Sequence, residues 1–267
     1  MRFSPLILAV LLAGCAGATH PNAVPPQAAQ LHVETFGKDA PEAVRTLVVI
    51  IHDDGEPGSR SDEADFARAA VRALPDTLAA TMLRPGHRNA RGDASPGARG
   101  AGTGDNYTLD RLTALGQQIA LLKRRYPGAR LILVGDGGGA ALVADLAGLN
   151  PVSADAMLLV GCPCALPEWR KHMAKRTGNA GWTAAVQSLD PLKFAGGIST
   201  TLRVAVLVGA DDAVTPVALS RAYVEALTLR GIGTDYRIVP ARGHDLLGDP
   251  ETLSALTRLV STLPEKP

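Results

Sequence analysis

The chain has 267 residues, 46% of them apolar and 20% charged, with 27 Lys and Arg against 26 Asp and Glu. That apolar fraction can fill a core, which excludes a disordered chain, and a formal net charge of +1 removes the electrostatic case for nucleic acid as a partner. Aromatic residues make up only 4%, glycines number 28, and the length suits one large domain or at most two. At the start of the chain, Arg2, an apolar run from Leu6 to Ala13 and the small residues after it form the pattern of an export signal over residues 1–14. The run is too short to span a bilayer. Residues 15–30, with three prolines between His20 and Gln30, read as a flexible tether.

From residue 31 to 267 the pattern is one domain of alternating strands and helices. Leu31 to Phe36 alternates like a strand exposed on one face, whereas Leu47 to Ile51 is a continuous β-branched run that suits burial on both faces. A helix follows from Asp62 to Leu74, then a strand from Thr77 to Leu83. The stretch 84–106 carries six Gly and two Pro with no apolar period, and reads as a long loop. Thr108 is placed to cap a helix whose apolar stripe is Leu109, Leu112, Leu115, Ile119 and Leu122, and Pro127-Gly128 ends it. Leu131 to Val134 is a buried strand running through Gly135-Asp-Gly-Gly-Gly139 into a helix from Ala140 to Leu149. Met157 to Val160, Leu202 to Val208 and Tyr236 to Val239 are further strands, with helices near Pro216 to Arg230 and Pro250 to Leu263, while 162–197 forms a cap-like insertion. This alternation predicts an α/β fold, a mostly parallel sheet of about eight strands covered by helices on both faces.

Chemistry in such a sheet gathers in the loops at the carboxyl ends of the strands. Those loops hold His52-Asp53-Asp54, the glycine run 135–139, Asp211-Asp212 and His244. Their order, a strand-to-helix turn, then an acid, then a histidine, resembles that of α/β-hydrolases. Gly209-Ala-Asp-Asp-Ala-Val-Thr-Pro216 resembles the acid loop of that family and places the acid at Asp212, and Gly243-His244-Asp245 resembles its histidine loop. Arg84-Pro-Gly86, Gly104 to Thr108, and Cys162-Pro-Cys164 with Trp169-Arg170 also resemble segments of bacterial hydrolases of this fold. The resemblance implies the α/β-hydrolase fold and, for activity, an ester or similar acyl substrate. Leu12-Ala13-Gly14-Cys15 resembles the lipobox of bacterial lipoproteins. It implies lipidation at Cys15, a membrane attachment through its acyl chains and a place in the bacterial cell envelope.

The elbow register set by Gly135 and Gly139 puts the nucleophile at position 137, which is glycine. With no side chain it cannot form an acyl-enzyme. The His-Gly pair usual after the first buried strand is here His52-Asp53, and Asp136 stands where His is usual. A carboxylate at Asp53 would oppose an oxyanion bound by nearby N–H groups, Gly138 among them. These features point to a degenerate triad in which Asp212 and His244 remain as acid and base, in a protein that is inactive or weakly active and binds a small-molecule ligand. Three other readings stay open. His244 could activate water directly, in the room left by the missing side chain; or Asp136 could serve as nucleophile one residue back, as in dehalogenases and epoxide hydrolases. Finally, Gly135-x-Gly137-x-x-Ala140 matches a dinucleotide fingerprint, although it lies mid-chain and no ribose-binding acid ends the next strand.

No cofactor or metal is expected. Asp53, Asp54, Asp136 and Asp212 could surround a hard cation, but sequence does not fix their distances; Cys162, Cys164 and His172 fall short of a zinc set. The two cysteines, one residue apart, read as unpaired small apolar side chains. Asp211 and Asp245 read as solvated neighbours, and His20, His32, His87 and His172 as structural or exposed. Oligomeric state is not legible.

Overall fold

A computed structural model describes residues 30–55, 62–100, 102–149 and 153–264. The export signal, Cys15, His20 and the tether up to residue 29 lie outside the described residues. Strands are β1 (Val33–Gly37), β2 (Thr46–Ile51), β3 (Thr77–Met82), β4 (Arg130–Asp136), β5 (Ala156–Val160), β6 (Arg203–Gly209) and β7 (Thr234–Val239). Helices are α1 (Asp62–Ala73), α2 (Leu109–Arg125), α3 (Gly138–Leu149), α4 (Leu166–Thr177), α5 (Pro191–Phe194), α6 (Val217–Leu229) and α7 (Pro250–Ser261). The sheet runs β1-β3-β2-β4-β5-β6-β7, with β1 antiparallel to β3 and every other pairing parallel.

Every residue of β2, Thr46-Leu-Val-Val-Ile-Ile51, is buried, as a strand covered on both faces must be. Alternate residues feed two cores: Leu47, Val49 and Ile51 join the side chains of α2, α3 and α6, while Val48 and Ile50 join Phe66 and Ala70 of α1 and Leu256 of α7. The sheet has seven strands among the described residues rather than about eight. The Gly-rich stretch 84–106 adds only an isolated bridge, Arg88 to Ala94, because glycines 86, 92, 97, 100, 102 and 104 all take left-handed φ angles that no strand accommodates. α3 begins at Gly138, not Ala140, and its Ala-rich body is buried almost all round. Thr108 has the extended backbone of an N-cap, but its hydroxyl pairs with Asp110 instead of a free backbone N–H.

Cys162 and Cys164 are joined by a disulfide, against the expectation of two free thiols. Their Cα atoms lie 5.1 Å apart, within bridging range, and the left-handed turn at Gly161 delivers the chain into this short loop. The segment 162–197 carries α4, α5 and two 3-10 turns, and is fastened to the long loop by a buried ion pair between Arg170 and Asp105. Arg170 also donates to the carbonyls of Gly181 and Ala184, so the pair is hydrogen-bonded as well as charge-balanced. None of the described helices is long and apolar enough to cross a membrane.

Candidate active site

The parallel register fixes which loops meet. Ile51 pairs with Gly135 and Asp136 with Val160, so residues 52–54, the turn at 137 and the loop after β5 leave the sheet side by side. β6 and β7 end two and three strands further along and send Asp212 and His244 back over the same edge.

Residue 137 makes the sharp turn. Its φ is +48°, its N–H donates to Val160 O at 2.9 Å, and its carbonyl starts α3 by accepting from Ala140 N. Close packing holds this turn: a Cβ on Gly135 would overlap the backbone of Gly139 and Ala140, and one on Gly139 would overlap the carbonyl of Ile51. Asp136 is the last residue of β4, half-buried and in register with Val160, one residue short of the turn. The aspartate-elbow register therefore does not match the bend in the backbone.

Asp212 and His244 come together. The His244 Nδ1 lies 2.9 Å from Asp212 Oδ2. Asp212 is a saturated acceptor: Oδ1 takes the N–H groups of Val214 (2.8 Å) and Thr215 (2.7 Å), and Oδ2 takes the Thr215 hydroxyl (2.6 Å) besides the imidazole. Its side chain is fully buried, yet this network and the charge on His244 outweigh the burial and hold its carboxyl below the ordinary range. Thr215 also lies 3.1 Å from His244 Nδ1; the sequence signal for it is an Asp followed three residues on by Thr, a recurrent local hydrogen-bonding pattern.

The other face of His244 meets Asp53. Nε2 of the ring lies 3.6 Å from Asp53 Oδ2, and Asp53 Oδ1 accepts the Gly138 N–H at 2.8 Å. A Cβ built on Gly137 would overlap Oδ1 and Cγ of Asp53, closer than any nonbonded pair allows. The carboxylate thus occupies the space in front of the turn. Burial opposes its charge, but the pull of His244 and the N–H groups of Gly138 and Asp54 lower its pKa to about 2. For His244, too, burial disfavours the cation, but Asp212 and Asp53 on its two nitrogens raise the pKa to about 10. At neutral pH the arrangement is a carboxylate–imidazolium–carboxylate row.

The residues on either side of Asp53 have partners of their own. Arg84, almost wholly buried, donates to Asp54 Oδ1 at 2.6 Å, and Tyr107 OH donates to Asp54 Oδ2. Burial, above all, raises the pKa of Asp54 despite the Arg84 charge. His52 accepts the Arg84 N–H through Nε2 at 3.1 Å and lies tilted against His87 with ring centroids 4.8 Å apart; burial and then the Arg84 charge lower its pKa to about 3. His87 is buried, His32 is half-exposed near Asp93, and His172 is half-buried with Nε2 near Ala213 O. Asp211 and Asp245 are exposed. The four aspartates considered for a cation do not gather into a ligand set among the described residues: Asp53 and Asp212 face His244, and Asp54 faces Arg84. The N-terminus of α3, where a pyrophosphate would sit, is taken by the Asp53 carboxylate.

No family model matches the chain, and no curated protein does. Solved structures do. The Pyrococcus furiosus esterase Pf2001 superposes with a TM-score of 0.66 at 10% identity, over 87% of this chain and 86% of that one. Esterase PE8 gives 0.62 at 18% identity over 88% of this chain and all of its own, and the Paleococcus ferrophilus monoacylglycerol lipase gives 0.57 at 18% identity, covering 86% and 96%. At these identities the likeness establishes the fold: the chain has the α/β-hydrolase fold.

Proposed function

We propose that this chain is a lipid-anchored protein of the bacterial envelope whose α/β-hydrolase scaffold binds a small ester or acyl ligand without performing acyl transfer. The observation that carries the reading is the position of Asp53. Acyl transfer needs a nucleophile at the turn, a neutral histidine to take its proton, and free N–H groups for the oxyanion. Residue 137 offers no side chain, the Gly138 N–H is committed to a carboxylate, and His244 is held protonated between Asp53 and Asp212. An imidazolium has no lone pair with which to accept a proton, so direct activation of water by His244 fails on the same geometry. The class of ligand follows the names of the structural neighbours, which are esterases and a monoacylglycerol lipase.

The anchor rests on the sequence: residues 1–14 as signal, Cys15 as the lipidated residue and 15–30 as tether to a single domain over 31–267. The purified full chain is expected to leave short aryl esters intact from pH 6 to pH 9 and to resist labelling by a fluorophosphonate. In cells it is expected to take up radiolabelled palmitate, and Cys15→Ala is expected to abolish that. Ester turnover lost in His244→Ala would refute the non-hydrolysing reading; palmitate in the Cys15→Ala chain would refute the anchor.

A further inference from the structure

Asp53 removes acyl chemistry in three ways at once, and all three come from one side chain. It fills the volume into which a side chain at 137 would project. It takes the N–H of Gly138 that a developing oxyanion would need. It also supplies the second carboxylate on His244, at 3.6 Å from Nε2, the nitrogen opposite the Asp212 bond. A carboxylate bound by a helix-terminal N–H and an imidazolium is also how the acid product of ester hydrolysis would sit in such a site. The rest of the apparatus is in place: the left-handed turn at 137, the buried Asp212 with its three protein donors and the His244 ring held by it.

We propose that Asp53 is a built-in occupant of the acyl site, standing where product and nucleophile would stand, and that ester hydrolysis is a latent activity released only when Asp53 and Gly137 change together. The inference rests on the non-hydrolysing reading above. With Gly137→Ser alone, the new Cβ meets the Asp53 carboxylate and His244 stays protonated. With Asp53→Gly in addition, the volume opens, the Gly138 N–H is freed and His244 keeps only Asp212. The hydroxyl of the introduced serine then adds to the ester carbonyl carbon while His244 Nε2 takes its proton. The oxyanion accepts from Gly138 N–H, and collapse breaks the bond to the alcohol, which leaves with the proton from His244. Water repeats the two steps and releases the acid.

The test compares full-length parent, Gly137→Ser, Asp53→Gly and the double variant on a short aryl ester, with fluorophosphonate labelling and melting curves on each. The double variant is expected to hydrolyse the ester and take the label, at least about 100-fold above Gly137→Ser, the scale of one oxyanion donor. Equal activity in Gly137→Ser and the double variant overturns the proposal, as does a folded double variant that neither hydrolyses nor labels. Should the double variant not fold, Asp53→Gly decides the matter through the His244 ring signal in NMR: its pKa is expected to fall from about 10 and to rise again on adding acetate. A His244 titration indifferent to both changes overturns the proposal. Turnover by the parent itself would defeat the non-hydrolysing reading and the latency with it, whereas a silent parent beside a folded, silent double variant overturns this proposal alone.

Discussion

Asp145 lies in α3, eight residues after the turn, and is fully buried with neither carboxylate oxygen hydrogen-bonded among the described residues. Burial, with a smaller contribution from Asp190, raises its pKa from 3.8 to about 8. The folded chain therefore keeps a proton that the unfolded chain releases above pH 4. Stability from this group is fully present below pH 4, declines as pH rises, and is gone above pH 8. Each tenfold change in proton affinity between the folded and unfolded chain corresponds to about 1.4 kcal/mol, which bounds the loss at roughly 5 to 6 kcal/mol before relaxation of the interior is allowed for. Asp145→Asn has the same shape and cannot ionise. Urea unfolding of the full chain should thus give parent and variant equal within about 1 kcal/mol at about pH 3.5, and a variant more stable by about 2 to 5 kcal/mol at pH 8. Taking the difference between the two chains cancels the contributions of His52, His87 and His244. A parent–variant difference that stays the same at both pH values would refute the reasoning, because it would mean that Asp145 ionises equally in folded and unfolded chains.

Arg84→Met strands Asp54 in the interior with Tyr107 as its hydrogen-bond donor, and should cost about 3 to 5 kcal/mol in urea unfolding. Adding Asp54→Asn should recover at least half of that loss; strictly additive losses would show that the pair does not interact. Thr215→Val removes the hydroxyl shared by Asp212 and His244 and should lower stability by about 1 to 3 kcal/mol, read as a drop in melting temperature. In non-reducing mass spectrometry the peptide spanning Cys162 and Cys164 should be two hydrogens lighter than its reduced form. Because the bridge closes so short a loop, its reduction should cost less than roughly 2 kcal/mol; a free-thiol count unchanged by reductant would remove the bridge altogether.

The sheet was legible because its signals are local. A run such as Leu47 to Ile51 admits no face for water, and strands of that kind alternating with helical stripes leave few topologies. Asp212 and His244 were legible through chain order, which fixes at which strand end each loop emerges. The nearness of Asp53 to the Gly138 N–H was legible the same way, but the direct bonds across loops were not. Asp53 meets Gly138 over a separation of 85 residues, and which way a loop carboxylate turns depends on what fills the space opposite it. The pairing of Asp54 with Arg84 and Tyr107 is hidden for the same reason, and the cysteine bridge depends on a backbone bend at Gly161 that composition does not announce.

The glycine run at 135–139 shows how one pattern yields two chemistries on paper and one in space. As spacing alone it fits both a phosphate-binding turn and a nucleophile elbow, since each demands close backbone approach. The contacts separate them. Gly135 and Gly139 are required by backbone: the one abuts the start of α3, the other the carbonyl of Ile51. Gly137 and Gly138 are required by carboxylates, since a Cβ at 137 would overlap Asp53 and one at 138 would overlap Asp54. A turn built to hold phosphate would not pack two aspartates against its own glycines and give one of its amide groups to a carboxylate, because anion would face anion at the helix terminus. Two of the glycines therefore belong to the fold, and two belong to Asp53 and Asp54. Placing a serine at 137 by itself should fail for that reason, and the loop after β2 is the place from which this site is governed.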